Sequence, residues 1–172
     1  HLDAMMNYAG LRAEQKRLRA QGIYRGIGFA SFIEVTNPSA AFYGVGGAKI
    51  SAQDGVTMKL DAQGAIICQT GVTAQGQGAE AVIAQVAASS FGVPIERVRV
   101  VTGDTDNTPY GGGTWASRAA GIGGEAAWQA GKALRANVLA CAGSILQAKP
   151  ENLDIRNGAV VERQDPRIGD VA

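Results

Sequence analysis

Histidine and cysteine are almost missing: the 172 residues include one histidine, His1, and two cysteines. A catalytic triad or a Cys–His pair needs a histidine base, and a terminal histidine supplies none to a site built from this chain alone. A zinc or iron site based on several histidines is excluded for the same reason. No base neighbours Cys68 in the sequence, so we interpret Cys68 and Cys141 as buried free thiols rather than as a nucleophile, a disulfide or a metal pair.

Concentrated charge, aromatic residues and long apolar runs are also scarce. The net charge is +1 and aromatic residues make up 6% of the chain, so neither a basic footprint nor a stacking platform for nucleic acid stands out. No apolar run approaches the roughly 20 residues that span a bilayer, and no signal peptide is recognisable. We therefore expect a globular, cytoplasmic protein without nucleic acid or membrane insertion.

Glycine is the residue in excess, with 24 copies. The glycines cluster without a fixed period, which excludes collagen and argues against a simple linker. The clusters fall where predicted elements meet, as tight turns or close approaches of the backbone to a ligand require. They occupy positions 26–28, 44–47, 76–78, 111–113 and 121–124.

Hydrophobic periodicity predicts an α+β fold: a two-layer sandwich with a mixed, mostly antiparallel sheet and helices on one face. Asp54-Gly55 and Asn157-Gly158 have the composition of tight hairpin turns. The predicted helices cover residues 3–21, 79–91 and 117–147, and residues 102–113 form an irregular loop. The predicted strands are 27–35, 48–53, 56–61, 65–70, 97–101, 153–155 and 159–161.

Two glycine-rich loops each open directly into a predicted helix. The first reads TAQGQGAE at 73–80 and the second PYGGGTWASR at 109–118. The free N–H groups of a helix start suit an anion, so two such starts indicate one extended, phosphate-bearing ligand. Gln77 lies between two glycines, where its amide could read a heterocycle edge or an oxo group. A plain strand-to-helix turn with an exposed glutamine explains the first loop equally, because short glycine motifs occur by chance.

Side chains of the second loop allow two interpretations as well. Serine is a favoured N-cap residue, and helix capping alone would explain the presence of Ser117 at this position. A cation such as Arg118 is disfavoured in a first helical turn, unless an anion lies between it and the N–H groups. An exposed arginine with nothing bound is the alternative. Asp104 and Asp106 are interpreted as bonding the loop's own backbone rather than a metal.

Four motifs follow one another along the chain: TxxGQG, GVP, VTGDTDxTPYG and GTxASR. Together they resemble the molybdopterin-binding region of the xanthine dehydrogenase and aldehyde oxidase superfamily. The stretch DTxxTPYGxGT is similar to the large, molybdenum-binding subunits of carbon monoxide dehydrogenase type. The resemblance is strongest from Gly26 to about Leu153.

This resemblance implies a cofactor, molybdenum with molybdopterin, in the cytosine dinucleotide form typical of bacterial members. The metal of this family is held through the sulfurs of the cofactor, so no protein ligand to it is expected. By position, Gln77 is expected near the dithiolene and the oxo ligands, and Ser117 and Arg118 near the pterin and phosphates. The implied cofactor-binding residues are Gly76, Gln77, Gly78, Thr114, Ala116, Ser117 and Arg118.

The resemblance also implies a larger parent enzyme. Members are several times longer, and their upstream Phe-Gly loop, cysteine-bearing loop and downstream Gly-x-Gly-Glu with its base glutamate have no match here. Glu80 and Glu125 lie within predicted helices instead, so no catalytic residue is assigned. We expect residues 1–22 to form a helical connector and 23–172 a molybdopterin-binding domain truncated at its C-terminus, inactive and without cofactor by itself.

The parent enzyme would be a molybdenum-dependent hydroxylase or dehydrogenase. It would oxidise a small carbonyl, a heterocycle or a carbon monoxide-like substrate, with iron–sulfur and flavin subunits or domains as electron-transfer partners. A different class remains open from the residues alone: a stand-alone module that binds a phosphate or nucleotide without redox chemistry.

Overall fold

The computed structural model describes residues 2–37 and 53–163. It divides the chain into two units, residues 1–34 and 35–172. The helices are α1 (Leu2–Met6), α2 (Tyr8–Arg19), α3 (Ala79–Phe91) and α4 (Gly124–Leu146). The strands are β1 (Val56–Leu60), β2 (Ile66–Thr70), β3 (Val98–Val101), β4 (Leu153–Arg156) and β5 (Ala159–Glu162).

The first unit contains the helix predicted for residues 3–21, with one interruption. Asn7 adopts a left-handed backbone with φ of 49°, and its side chain accepts the N–H of Gly10, so that α2 begins anew after α1. No residue of α2 is fully buried, as its weak apolar face indicates.

The strand predicted for residues 27–35 is wrong. Residues 23–36 contain no regular element, and Ile33 is 98% exposed. Polar and aromatic contacts tie the start of this segment to α2: Arg25 pairs with Glu14 at 2.9 Å, and the rings of Phe29 and Tyr8 meet edge to face. An apolar run becomes a strand only beside a hydrogen-bonding neighbour, and the described residues provide none here.

The second unit is built on a three-stranded mixed sheet with the order β1-β2-β3. β1 and β2 are antiparallel, whereas β2 and β3 are parallel and joined through α3. The strands predicted near 56–61, 65–70 and 97–101 are therefore confirmed. Cys68 is fully buried at the centre of β2, which confirms the buried free thiol predicted there. Burial raises the pKa of this thiol to about 11.

The turn predicted at Asp54-Gly55 is wrong. Neither residue has the positive φ that a type I′ turn needs. The chain instead runs straight into β1, where the Gly55 carbonyl accepts the N–H of Gly71 and Asp54 forms a bridge with Gly111. The strand predicted at 48–53 falls almost wholly outside the described residues.

Helices α3 and α4 pack against the sheet and against each other, which confirms the α+β architecture. Helix α3 has the predicted bounds. Ala87 and Ala127 are fully buried between the helices, and at Gly131 a Cβ would lie 1.8 Å from Ser90 Oγ. Small residues at this contact therefore set the close approach of the two helices.

The long helix differs from its prediction at both ends. A π-helical turn, Ala119–Gly123, precedes α4, so the α-helix begins seven residues later than predicted. Near the C-terminus of α4, Ile145 is 80% exposed, and Cys141 is exposed rather than buried as predicted. Leu139 and Gly143 are the buried positions there, and Leu139 belongs to the same core cluster as Leu153 and Ile155 of the hairpin that follows.

The C-terminal hairpin of β4 and β5 confirms the turn predicted at Asn157-Gly158, where both residues have positive φ, 51° and 79°. Arg135 of α4 anchors it by donating to the carbonyls of Phe91 and Ile155 and pairing with Asp154. Burial would raise the pKa of Asp154, but the hydrogen bond from Arg156 and the charge of Arg135 hold it below its ordinary value.

Candidate functional site

The first loop, residues 71–78, leads from β2 into α3 and is shaped by glycine. Gly76 and Gly78 have φ of 93° and 82°, a region that glycine enters at no steric cost. Space is open around both: no atom lies within 4 Å of where a Cβ would stand. Gly78 is the N-cap of α3 and no side chain caps the helix. The first turn of α3 therefore faces outward with its N–H groups free for a ligand.

The two glutamines of the first loop hold it internally and to its neighbour. Gln77 Oε1 accepts the backbone N–H of Gln75 at 2.6 Å, and Gln75 Nε2 donates to the Thr114 carbonyl at 2.9 Å. Within the described chain the Nε2 group of Gln77 makes no hydrogen bond. Gln77, the side chain predicted to contact a ligand, thus keeps its Nε2 donor available, while the bond to its Oε1 fixes the orientation of the amide.

The second loop, residues 109–118, lies directly beside the first. The Thr114 hydroxyl donates to the Thr73 carbonyl at 2.7 Å and accepts the Thr73 N–H at 3.1 Å. This hydroxyl therefore joins the loops both as a donor and as an acceptor. The two segments predicted to grip one ligand are brought together, 41 residues apart in sequence.

The turn at the end of the second loop is unusual. Ala116 and Ser117 are consecutive residues with positive φ, 46° and 51°. Non-glycine residues pay roughly 1–3 kcal/mol each for such strain, which persists where the surroundings enforce it and is frequent at functional sites. Ser117 is exposed and makes no capping bond, and Arg118 rather than Ser117 directly precedes the π-helical turn, so the N-cap interpretation is wrong.

Arg118 does not face solvent. Its side chain is fully buried and its Nη2 lies 2.9 Å from Asp54 Oδ2, which is equally buried. It also donates to the carbonyls of Gly113 and Gln53. Arg118 is thus inside the protein with a carboxylate of its own chain as its anion, and both the exposed-arginine alternative and a first-turn position in α4 are wrong. Its predicted contact with cofactor phosphates stays a prediction that the observed pairing does not support.

Burial raises the pKa of Asp54 above its ordinary value, while the Arg118 charge and the Gly112 N–H oppose that rise. Asp54 Oδ1 accepts the Gly112 N–H at 3.2 Å. A buried carboxylate stays charged only when it is paired and hydrogen-bonded, and Asp54 has both kinds of partner. The pair therefore ties the start of β1 to both ends of residues 112–118.

Three glycines make this junction possible. A Cβ on Gly111 would lie 2.4 Å from Asp54 Oδ1 and 2.9 Å from the Cα of Gly71. A Cβ on Gly55 would lie 2.8 Å from the Cβ of Pro109. None of the three has positive φ, so space rather than backbone conformation requires glycine here.

The arrangement as a whole presents backbone donors. In the described parts of the chain the N–H groups of Gly76, Gln77, Gly78, Ala116 and Ser117 donate to no protein acceptor. Successive free N–H groups in left-handed or turn conformations form anion-binding concavities. This geometry suits a ligand that carries phosphate or other anionic oxygen groups.

Next to the junction is an open cavity of about 510 Å³ whose lining includes Thr73, Thr105 and Tyr110. Asp104 belongs to the irregular loop that contributes part of this lining, and it bonds its own loop, as predicted. Its side chain accepts from the Asn107 amide and the Asp106 N–H, and these bonds lower its pKa. Across residues 2–37 and 53–163 no group of three potential metal ligands is present.

Sequence reasoning missed three contributors: Asp54, Gln75 and Thr73. Asp54 was hidden because Asp-Gly is typical of a turn, and its distance of 64 positions from Arg118 gives no local signal. Gln75 and Thr73 belong to the motif itself, and their polar character before Gly76 was the available signal.

In the described residues no helix is long and apolar enough to cross a membrane.

Comparisons with known proteins agree with this geometry. A family described as "Molybdopterin cofactor-binding domain" matches residues 1–172. The large subunit of nicotine 6-hydroxylase from Paenarthrobacter nicotinovorans is 33% identical over 99% of this chain and 21% of its own length. The carbon monoxide dehydrogenase large chain of Hydrogenophaga pseudoflava is 33% identical over 89% of this chain and 19% of its own.

Among solved structures, quinoline 2-oxidoreductase from Pseudomonas putida 86 superposes with a TM-score of 0.70 at 35% identity, covering 94% of this chain and 20% of that protein. The chain thus spans about a fifth of the relatives it matches. The resemblance carried by the two loops and the motifs between them is confirmed: the chain belongs to the molybdopterin cofactor-binding domain family of molybdenum-dependent hydroxylases and dehydrogenases.

Proposed function

We propose that this chain holds part of a molybdopterin dinucleotide between its two loops, within a larger oxidoreductase. The observation that carries the proposal is the pair of adjoining loops whose N–H groups, at Gly76–Gly78 and at Ala116–Ser117, have no acceptor among residues 2–37 and 53–163. A family match over the whole chain supplies the cofactor class. No observation favours the stand-alone nucleotide-binding module.

The residues present fit the group. The open space at the positions of a Gly76 or Gly78 Cβ lets a planar heterocycle approach the backbone closely. Free N–H groups complement anionic oxygens. The carboxylate of Glu80, in the first turn of α3, accepts the Thr102 hydroxyl at 3.2 Å. The helix dipole of α3 adds to the attraction for negative charge at its start.

When bound, the cofactor supplies the redox chemistry, and the protein supplies binding, orientation and electrostatics. In this proposal Gln77 donates through Nε2 toward the cofactor while Gln75 fixes its oxygen. Ala116 and Ser117 offer N–H groups, and the Ser117 hydroxyl adds a donor. Thr114 joins the two loops. Arg118 does not contact the cofactor and supports its binding by holding the second loop in shape. No residue of this chain is assigned the role of base.

We further propose the cytosine dinucleotide form, a cytoplasmic parent enzyme, and iron–sulfur and flavin subunits or domains as its electron-transfer partners. The substrate class is a small carbonyl, a heterocycle or a carbon monoxide-like molecule. Support comes from relatives whose names state nicotine 6-hydroxylase, carbon monoxide dehydrogenase and xanthine dehydrogenase activity.

The test is the cofactor content of the full-length protein, produced in a host that loads a known family member. Near-stoichiometric molybdenum with released cytidine nucleotide is the expected result. The matched variants are Gln77→Ala, expected to lower occupancy, and Gln85→Ala, an exposed glutamine of α3 expected to leave it unchanged. A folded protein without molybdenum and nucleotide contradicts the proposal.

A further inference from the structure

The shape of the second loop depends on a contact with a residue outside it, Asp54. Two consecutive left-handed residues without glycine, Ala116 and Ser117, are not stable by local preference. Something must enforce them, and Arg118 makes the contacts that join this loop to the buried Asp54. The guanidinium reaches the Gly113 carbonyl, five residues earlier, and so closes the loop on itself.

The same guanidinium fixes the closed loop to the sheet. It donates to the Gln53 carbonyl at 3.1 Å and pairs with Asp54 at 2.9 Å, just before β1. The Gly112 N–H donates to the Gln53 carbonyl at 3.1 Å and to Asp54 Oδ1 at 3.2 Å. Both ends of residues 112–118 are therefore bonded to the same two residues. With both side chains fully buried, solvent neither screens the pair nor competes for it.

We propose that Asp54 and Arg118 are positioning residues that hold residues 112–118 in the ligand-accepting shape before any cofactor is bound. This inference rests on the proposed function in its second part only: that the shaped loop binds the cofactor. Its first part concerns the loop of the cofactor-free protein. Preorganisation of this kind increases affinity because binding no longer has to order the loop.

The planar fork of arginine is essential to this role. A lysine can pair with Asp54 as a point charge, but it cannot reach the Gly113 and Gln53 carbonyls at once. Arg118→Lys therefore keeps the charge and removes the clamp. Asp54→Asn is the complementary change, because it keeps an acceptor for the Gly112 N–H and removes the ion pair.

Arg135 offers a matched control. It too donates to two backbone carbonyls and pairs with an aspartate, but it anchors the C-terminal hairpin to α4. Arg135→Lys removes the same kinds of bond at a site that touches neither loop. A purely structural role for Arg118 would make the two lysine variants behave alike in the loops.

The experiment is amide hydrogen exchange on the full-length, cofactor-free protein, followed by measurement of molybdenum occupancy after loading. For Arg118→Lys we expect exchange at the hydrogen-bonded N–H groups of residues 112 and 118 to accelerate at least ~10-fold, given the strength of hydrogen bonds from charged donors. Exchange within α3 should stay unchanged and occupancy should fall at limiting cofactor. Asp54→Asn should show the same pattern, so that misfolding of one variant leaves the other as the test.

Unchanged exchange at residues 112 and 118 in the folded variants overturns the proposal, as does an acceleration that Arg135→Lys reproduces. Accelerated exchange with unchanged occupancy overturns the second part alone. If the wild-type protein takes up no cofactor, the proposed function fails, while the exchange comparison still decides whether the clamp exists.

Discussion

The two loops reach a similar end by opposite means. The first is shaped by glycines that accept positive φ without strain, and within the described residues the side-chain hydrogen bonds of its glutamines reach only Gln75 and Thr114. The second places Ala116 and Ser117 in the same backbone region, where a buried arginine and aspartate enforce it. A free N–H array can thus come from intrinsic backbone freedom or from tertiary constraint. The first kind should tolerate changes in its surroundings and the second should not.

Arg118→Ala should produce the largest effect on this contrast. It leaves the fully buried carboxylate of Asp54 without its cation, which costs about 3–5 kcal/mol in free energy of unfolding. Denaturant titration of the chain measures this directly. Gln77→Ala, in the glycine-shaped loop, should change stability far less. Equal effects of the two variants would remove the distinction between the loops.

The cost of Arg118→Ala should depend on pH. Burial already raises the pKa of Asp54, and loss of the guanidinium raises it further. A carboxyl with a raised folded-state pKa contributes its full stability below the unfolded pKa and loses it as pH rises through the folded pKa. The difference between variant and wild type should therefore be large at neutral pH and shrink toward about pH 4. A difference independent of pH would contradict a charged Asp54.

Replacing glycines with alanine distinguishes positions that need glycine for lack of space from positions that need it for a positive φ. Gly111→Ala places a Cβ 2.4 Å from Asp54 Oδ1, and such overpacking costs about 1–3 kcal/mol. Gly76→Ala meets no atom but requires φ of 93°, a strain of about 1–2 kcal/mol. In unfolding experiments, only Gly111→Ala should also weaken the contribution of Arg118, as a double-mutant cycle would show. Full additivity of Gly111→Ala and Arg118→Ala would contradict a shared junction.

Ala116→Gly tests the strain of the second loop by relieving it. Because Ala116 has φ of 46°, glycine should stabilise the chain by up to about 1 kcal/mol, net of its greater unfolded-state entropy. Ala133→Gly, at an exposed position inside α4, is the control and should destabilise by roughly 1 kcal/mol. The same sign for both changes would show that the second loop is not strained.

The smallest expected effect is a difference in thiol reactivity, which reports on the support of the first loop. Cys68 lies in β2 beneath that loop with its pKa raised to about 11, and Cys141 is exposed. At pH 8 only roughly one Cys68 thiol in a thousand is ionised. Iodoacetamide should modify Cys141 and leave Cys68 intact until β2 opens. Equal labelling rates would show that the sheet opens readily under the first loop.

Local signals predicted most of the second unit. Helix α3 and strands β1 to β5 appear near their predicted positions, because periodicity and the Asn157-Gly158 turn depend on neighbouring residues. The Asp54-Gly55 turn and the strand at 27–35 were wrong, because the first leads directly into β1 and the described residues offer no neighbouring strand to the second. Local preference cannot reveal either circumstance.

The site was predictable in position but not in the role of each residue. The two loops and their free N–H groups follow from the glycine motifs and the helices after them. The burial of Arg118 does not, because its partner Asp54 is distant in sequence and reaches it only through the contact of Gly55, Gly71 and Gly111. The left-handed Ser117 follows from that same distant contact.

The central claim is tested most directly by an experimental structure of the full-length protein with molybdopterin cofactor bound. The account predicts cofactor oxygens within hydrogen-bonding distance of N–H groups at Gly76–Gly78 and at Ala116–Ser117, with Arg118 still paired to Asp54 and behind the loop. A cofactor that touches neither loop, or an Arg118 that leaves Asp54 to bind the phosphates, would contradict it.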